Sequence, residues 1–411
     1  MAMSPPPPRR APSSRPTPPL PDDVMREILL RLPADDPACL VRAAAGCISW
    51  RGMVSDPSFA PAYRLRRGAP PMLGFLYDDR PAGEHWISHF LPTATSPPLA
   101  ARDRQHRHAL DSRHGLALFY TPRSHAHFLV CDLVTGEHWE IRADPKCYKI
   151  IWSNLLQEMH SLRENEQISC NASVLCAKDG CDHRDCHGGP FLVALVGSDV
   201  EGDTYMNHAA VYSSATREWS DVTSVEQENV IDGTGHSAVV GNTVYAPCVE
   251  DDSVVVYNTR EKKLSVIAAP LEVEDQEQQP YLDLMGLEDG MLLFASVVKP
   301  RLYLWTMEAG PRGAAGWARR RVIELGPLLP LPVLEDKSDV SAVGFAEGVC
   351  VIFLKTRVGL YTMELSSGKG KKVHRGYINK VMPYMSFYTG AWGRLPASNV
   401  ASRAVVDATT I

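Results

Sequence analysis

His236-Ser237-Ala238-Val239-Val240-Gly241-Asn242-Thr243-Val244-Tyr245, followed by Val254-Val255-Val256-Tyr257-Asn258-Thr259, is the stretch on which the fold turns. Short runs rich in Val, Thr and Tyr, bounded by Gly, Asn and Asp, read as adjacent strands. The pattern recurs. His114 to Tyr120 leads to Phe128 to Thr135 and then Trp139, and Phe191 to Val196 leads to Tyr212 and Thr216 to Trp219. Gly290 to Phe294 leads to Leu302 to Thr306, and Gly348 to Phe353 to Val358 to Thr362. From Tyr212 the equivalent positions Tyr257, Trp305 and Tyr361 follow at steps of 45, 48 and 56 residues, the spacing of four-stranded propeller blades. A first unit, Leu73 to Tyr77 with Ser88 to Leu91, brings the count to about six.

Such units favour a β-propeller because each sheet is apolar on both faces and must stack on two neighbours, while ring closure leaves only short edges. Val381-Met382-Pro383-Tyr384-Met385-Ser386-Phe387-Tyr388 is the candidate closing strand. The step of 80 residues from Asp132 to Tyr212 implies an insertion, placed around 143–190. A pair of β-sandwiches or an irregular β-rich domain is the competing reading. The expected fold class is mainly β: a small N-terminal helical module, then a propeller of about six blades over 69–392 and a tail at 393–411.

The helical texture is confined to 20–60. Leu20-Pro21-Asp22-Asp23-Val24 opens it, with acidic residues at the positive end of a helix. Val24, Ile28 and Leu32 recur at i, i+4 and i+8, with Met25 and Leu29 widening the apolar face, and Pro33 stops the run. Asp36-Pro37 starts a second helix, Cys39 to Ala45, and a third carries Trp50, Met53 and Val54 before Asp56-Pro57. Helices this short cannot satisfy their apolar faces on one another, since about 40 residues lies near the lower limit for independent folding. They need a partner.

Leu20-Pro21-Asp22-Asp23, Glu27-Ile28-Leu29, Arg31-Leu32-Pro33, Cys47, Ser49-Trp50-Arg51 and Asp56 to Phe59 together resemble an F-box, the module that docks on a Skp-family adaptor of a cullin-based ubiquitin ligase. The resemblance covers about a tenth of the chain. It implies that Leu20, Pro21, Val24, Ile28, Leu32, Leu40, Val41 and Trp50 contact the adaptor. Gly46 stands where Val is typical and Ile48 where a basic residue is usual, departures that bear on affinity. Residues 69–392 resemble the kelch-like propellers that follow F-boxes in large plant families, with Met385-Ser386-Phe387-Tyr388 adding to the likeness. The stretch departs from a strict kelch pattern, since the only Gly-Gly pair is Gly188-Gly189 and the WD signature is absent.

Composition narrows the classes. Of 411 residues, 45% are apolar and 22% charged, ordinary for a globular protein. The absence of an 18-residue apolar run and of a secretory core points to the cytoplasm or nucleus and away from a membrane. A net charge of −6 with dispersed signs lacks the basic stripe of a nucleic-acid binder. Residues 1–19, rich in Pro and Arg without an acid, read as a disordered leader.

Cys170, Cys176, Cys181, His183, Cys186 and His187 offer zinc-type ligands, of which Cys181, His183, Cys186 and His187 make the tightest set. Their crowding into one loop disfavours four-cornered coordination, and no metal or other cofactor is expected. The chain lacks the phosphate-binding loop, the zinc-protease motif and the nucleophile elbow, so a non-catalytic role follows. His106 and His108 with Arg102, Arg104 and Arg107 read as a solvated turn, and Trp139, Trp219, Trp305 and Trp317 as packing residues. The expected function is target recognition within a Skp–cullin–F-box ubiquitin ligase, the helical module binding the adaptor and through it the cullin, and the propeller binding an unidentified protein. The alternative is a ligase-independent scaffold with a vestigial F-box.

Overall fold

The computed structural model describes residues 20–34, 36–79, 87–93, 103–121, 127–152, 170–178, 181, 189–201, 204–233, 235–249, 253–270, 284–288, 290–298, 301–309, 315–327, 329, 340–376 and 378–387. Six antiparallel sheets make six blades. Blade 1 holds β1 (Met72–Asp79), β2 (Ile87–Pro92) and β3 (Arg104–Gln105), and blade 2 holds β4 (His108–Arg113), β5 (Leu116–Thr121), β6 (His127–Cys131) and β7 (His138–Arg142). Blade 3 holds β8 (Cys170–Cys176), β9 (Phe191–Glu201), β10 (Thr204–Ser213) and β11 (Glu218–Trp219), with β12 (Thr223–Glu226) also on β10. Blade 4 holds β13 (Ala238–Val240), β14 (Thr243–Pro247), β15 (Ser253–Asn258) and β16 (Lys263–Ala268). Blade 5 holds β17 (Leu284–Glu288), β18 (Met291–Val298), β19 (Arg301–Ala309) and β20 (Ala315–Glu324). Blade 6 holds β21 (Ser341–Ala346), β22 (Val351–Thr356), β23 (Gly359–Glu364) and β24 (Gly370–His374), after which β25 (Val381–Met385) returns to pair with β1.

The strand expected to close the ring therefore does so, as the innermost strand of blade 1. It places Tyr77 opposite Val381 and Leu76 opposite Met382. In each blade the first strand of the sheet lines the axis. Thus β25, β4, β8, β13, β17 and β21 are the inner ring. The turn from inner to second strand carries a positive-φ glycine in four blades: Gly115 (φ 76°), Gly241 (57°), Gly290 (77°) and Gly348 (81°). A side chain there would be strained, so this turn explains why those four repeats read as Gly followed by an apolar run.

The indoles act between blades. Trp219 Nε1 donates to Arg142 O at 2.9 Å, fastening blade 3 to blade 2, and Trp317 Nε1 donates to Ala268 O at 2.7 Å, fastening blade 5 to blade 4. Trp139 meets Phe191 edge-on at 5.3 Å between ring centroids.

Two placements correct the sequence expectations. The span 143–190 is not simply an insertion: it contains β8, the inner strand of blade 3, on which Cys170 and Asn171 are buried. Its cysteines serve there as small apolar side chains. His108 does not belong to a solvated turn; it begins β4, is 8% exposed, and has Nδ1 3.8 Å from the Asp78 carboxylate.

The N-terminal residues form α1 (Asp22–Leu30), α2 (Pro37–Gly46), α3 (Ile48–Val54) and α4 (Phe59–Arg67). The fourth helix carries the module past residue 60. In the turn ahead of it Asp56 accepts from the Ser58 backbone N–H at 2.8 Å, so Asp56-Pro57 separates α3 from α4. Leu29, Leu40, Val54, Phe59 and Tyr63 share one core with Leu73, Leu76, Leu133, Met382, Tyr384 and Phe387 of blades 1 and 2. The partner these helices need is, in part, the propeller itself. No helix among the described residues is long and apolar enough to cross a membrane.

Candidate functional site

Two surfaces merit functional reading. The first is the open face of α1. Leu29 and Leu30 point into the shared core, whereas Val24 and Ile28, one turn apart, remain 40% and 39% exposed, and Leu20 just before the helix is 52% exposed. Pro21 is exposed beside them. Asp22 and Asp23 sit in the first turn without a side-chain capping bond, so their contribution is their charge at the helix N-terminus. Glu27 ties α1 to α4 through Arg66 at 2.9 Å and pairs with Arg31 at 2.9 Å.

The remaining residues assigned to the docking face divide. Leu32, Val41 and Trp50 are half-buried against the module core, and the Trp50 indole N–H donates to Met25 Sδ at 3.2 Å. Leu40 is 1% exposed and packs inside, so it shapes the face from behind and cannot touch a partner. Conversely, Ile48, 81% exposed, and Leu65, 72% exposed, are large apolar side chains in water. Gly46 is the last residue of α2, where a Cβ would meet nothing within 4 Å.

The second surface is the axis of the propeller, which charged side chains close. Arg113, at the end of β4, donates from Nε to Asp111 at 3.2 Å, from Nη1 to Glu347 at 2.8 Å and from Nη2 to Ser237 O at 2.7 Å. One side chain thus joins blades 2, 6 and 4. Asp111 also accepts the Val174 N–H of blade 3 at 2.9 Å. His236 donates from Nε2 to Val343 O at 2.7 Å, and Lys380 crosses from blade 1 to Gly235 O, before blade 4, at 3.0 Å.

Burial works against the charge of Arg113, but Asp111 and Glu347 more than offset it and raise its pKa. His236 is neutral: burial, reinforced by Lys380, pushes its pKa down to about 3. Burial pushes the Asp78 carboxyl up to about 7, against the Ala109 N–H that stabilises its anion, and lowers the Lys380 pKa against nearby carboxylates. Nothing in sequence marked this cluster, because Arg113 finds its partners 124 and 234 residues away.

Above the plug, a cavity of about 560 Å³ opens between the inner-strand turns and the end of α4. Asp111, Arg113, His236 and Glu347 line it together with the apolar Val239, Leu287, Phe345, Met382, Met385 and Phe387, with Arg64 and Gly68 on the side of the helices. The helical module and the axial cavity are thus on the same face of the ring.

No three metal-ligating side chains converge among the described residues. Of the zinc candidates, Cys181 is half-buried after blade 3's first strand, and His183, Cys186 and His187 lie outside the described residues. Burial pushes the Cys147 thiol up to about 12 and raises that of Cys170, which keeps both protonated.

No protein-family model matches the chain, and no curated protein matches it. Solved structures with which it shares partial likeness include the Pseudomonas aeruginosa periplasmic gluconolactonase PpgL, at 11% identity and TM-score 0.40, covering 74% of this chain and 82% of that one. A chain of a nidogen/laminin complex is 12% identical with TM-score 0.38, covering 76% and 99%. A chain of the mitotic checkpoint complex is 9% identical with TM-score 0.32, covering 64% of each, so this chain spans less than two thirds of that one's length. At TM-scores below 0.5 these likenesses carry no argument about this chain.

Proposed function

We propose that this chain is a target-recognition adaptor of a Skp–cullin–F-box ubiquitin ligase, its helices docking on a Skp-family protein and its kelch-like propeller holding a target protein. The observation that carries this reading is the row of Leu20, just before α1, and Val24 and Ile28 on it, left exposed beside a module core that Leu29, Leu30, Leu40, Val54, Phe59 and Tyr63 share with the propeller. Covering such a row removes apolar surface from water at roughly 25 cal/mol per Å². The F-box resemblance supplies the kind of partner.

The chain performs no chemistry in this role. It raises the effective concentration of target lysines near the transferring enzyme. The shared core of module and propeller suits that task, because Tyr63 packs edge-on to Phe387 at 6.1 Å and holds the target-binding ring at a fixed angle to the docking helices. Such an assembly works in the cytoplasm or nucleus.

Ile48, solvent-exposed where the F-box pattern has a basic residue, and Gly46 favour a second reading, a ligase-independent scaffold whose helices chiefly complete the propeller. Affinity purification of the full chain separates the two: recovery of both a Skp-family protein and a cullin supports the ligase, and recovery of the adaptor without a cullin, or of neither, supports the scaffold.

A further inference from the structure

The axial cavity has the volume of a small-molecule pocket, and its unused hydrogen-bonding capacity is specific. Arg113 spends three of its five N–H donors on Asp111, Glu347 and Ser237 O, and Asp111 Oδ2 serves both Arg113 and Val174. Glu347 Oε1 accepts from Arg113, while Oε2 has no partner among the described residues and the side chain is 32% exposed. Arg64, on the helical side, is already engaged. The same cavity is lined by the apolar side chains of Leu287, Phe345, Met382 and Phe387.

An anion entering this funnel would face two carboxylates, Asp111 and Glu347, against one guanidinium whose Nε, Nη1 and Nη2 are each already bonded. A purely apolar occupant would strip water from Glu347 Oε2 and return no donor. A cation meets neither objection, since a charge-assisted bond to a held carboxylate strengthens as water is excluded. We propose that the funnel binds an ammonium or guanidinium group carried on an apolar body, with Glu347 as its anchor. Two sources share that chemistry: a free arylalkylamine, and a Lys or Arg side chain flanked by apolar residues in a bound protein segment. The assignment is independent of what the helical module docks on.

Calorimetric titration of the full chain tests it with two matched pairs: N-acetyl-Phe-Arg-Phe-amide against its citrulline counterpart, and 3-phenylpropylamine against 3-phenylpropanol. The charged member of at least one pair is expected to bind at least tenfold tighter, the effect of one charge-assisted bond, and Glu347→Gln is expected to erase that preference. Preference within the peptide pair alone identifies a protein segment, within the amine pair alone a small molecule. Leu287→Lys, which places a cation in the funnel without touching the plug, is expected to abolish binding and serves if Glu347→Gln does not fold. No charged preference in the wild type, or a preference that survives either variant, overturns the assignment.

Discussion

Tyr384→Phe isolates the bond that locks the ring. Tyr384 lies on the closing strand, fully buried, and its hydroxyl accepts the Leu133 N–H at 3.0 Å while donating to Gly115 O at 2.7 Å. Both partners, and Asp132 Oδ1 3.3 Å from the hydroxyl, belong to turns of blade 2, so a single oxygen stitches β25 to the neighbouring blade. Burial raises the phenol pKa well above its usual value, so the donor proton is present at any working pH. Phe keeps the ring and its edge-on contact with Phe90 but leaves an N–H and a C=O buried without partners. Each orphaned group costs about 1–3 kcal/mol, and allowing for partial relaxation the expected destabilisation is about 2–4 kcal/mol. Urea unfolding followed by tryptophan fluorescence measures the loss, and hydrogen exchange at the Leu133 amide should accelerate in parallel. A change below about 0.5 kcal/mol with unaltered exchange at Leu133 would refute the assignment of this hydroxyl as the closure bond.

Gly344→Ala should destabilise the same closure by about 1–3 kcal/mol, because the new Cβ would sit 2.8 Å from Val381 O and 2.9 Å from Val381 Cβ; an unchanged melting temperature would contradict it. Gly46→Ala should stabilise the chain by up to about 1 kcal/mol, since the added methyl meets nothing, and thermal melts would register the gain. For His236, whose folded pKa of about 3 lies below the ordinary 6.5, the folded state binds fewer protons than the unfolded state between those values. Its stabilising contribution is therefore complete above pH 6.5 and falls as pH drops toward 3. Relative to His236→Gln, the wild type should lose about 3 kcal/mol between pH 7 and pH 4, measured as the difference in urea stability at the two pH values; equal losses would show that the imidazole is not buried neutral. Asp78 contributes a slope of the opposite sign, present in both proteins and cancelling in the comparison.

The blades were legible because their signal is local. A positive-φ glycine followed by an apolar strand repeats in four blades because these blades turn in the same place, and Val381 to Tyr388 read as the candidate closing strand near the C-terminus, of which Val381 to Met385 pair with β1. β8 was obscured by chemistry: in Cys170 to Cys176 the thiols suggested ligands, whereas burial uses them as small apolar groups. α4 was missed because Asp-Pro stops and starts helices with the same residues. The axial plug left no trace at all. Asp111 and Arg113 share β4, while His236, Glu347 and Lys380 each come from a separate stretch, and it is ring closure that brings these four distant segments to one axis. At the module, the apolar stripe announced an amphipathic helix but not which side the propeller would claim; Leu29 and Leu30 went inward, and Val24 and Ile28 stayed out.

The docking reading rests on that outward side, and binding of a purified Skp-family adaptor to the wild-type chain and to Ile28→Asp tests it most directly. Ile28 is 39% exposed and outside the shared core, so the variant should fold with an unchanged melting temperature. The account predicts measurable binding by the wild type and a loss of at least tenfold in the variant, from a charge placed in an apolar contact. Equal binding by the two proteins, or none by the wild type, would contradict it.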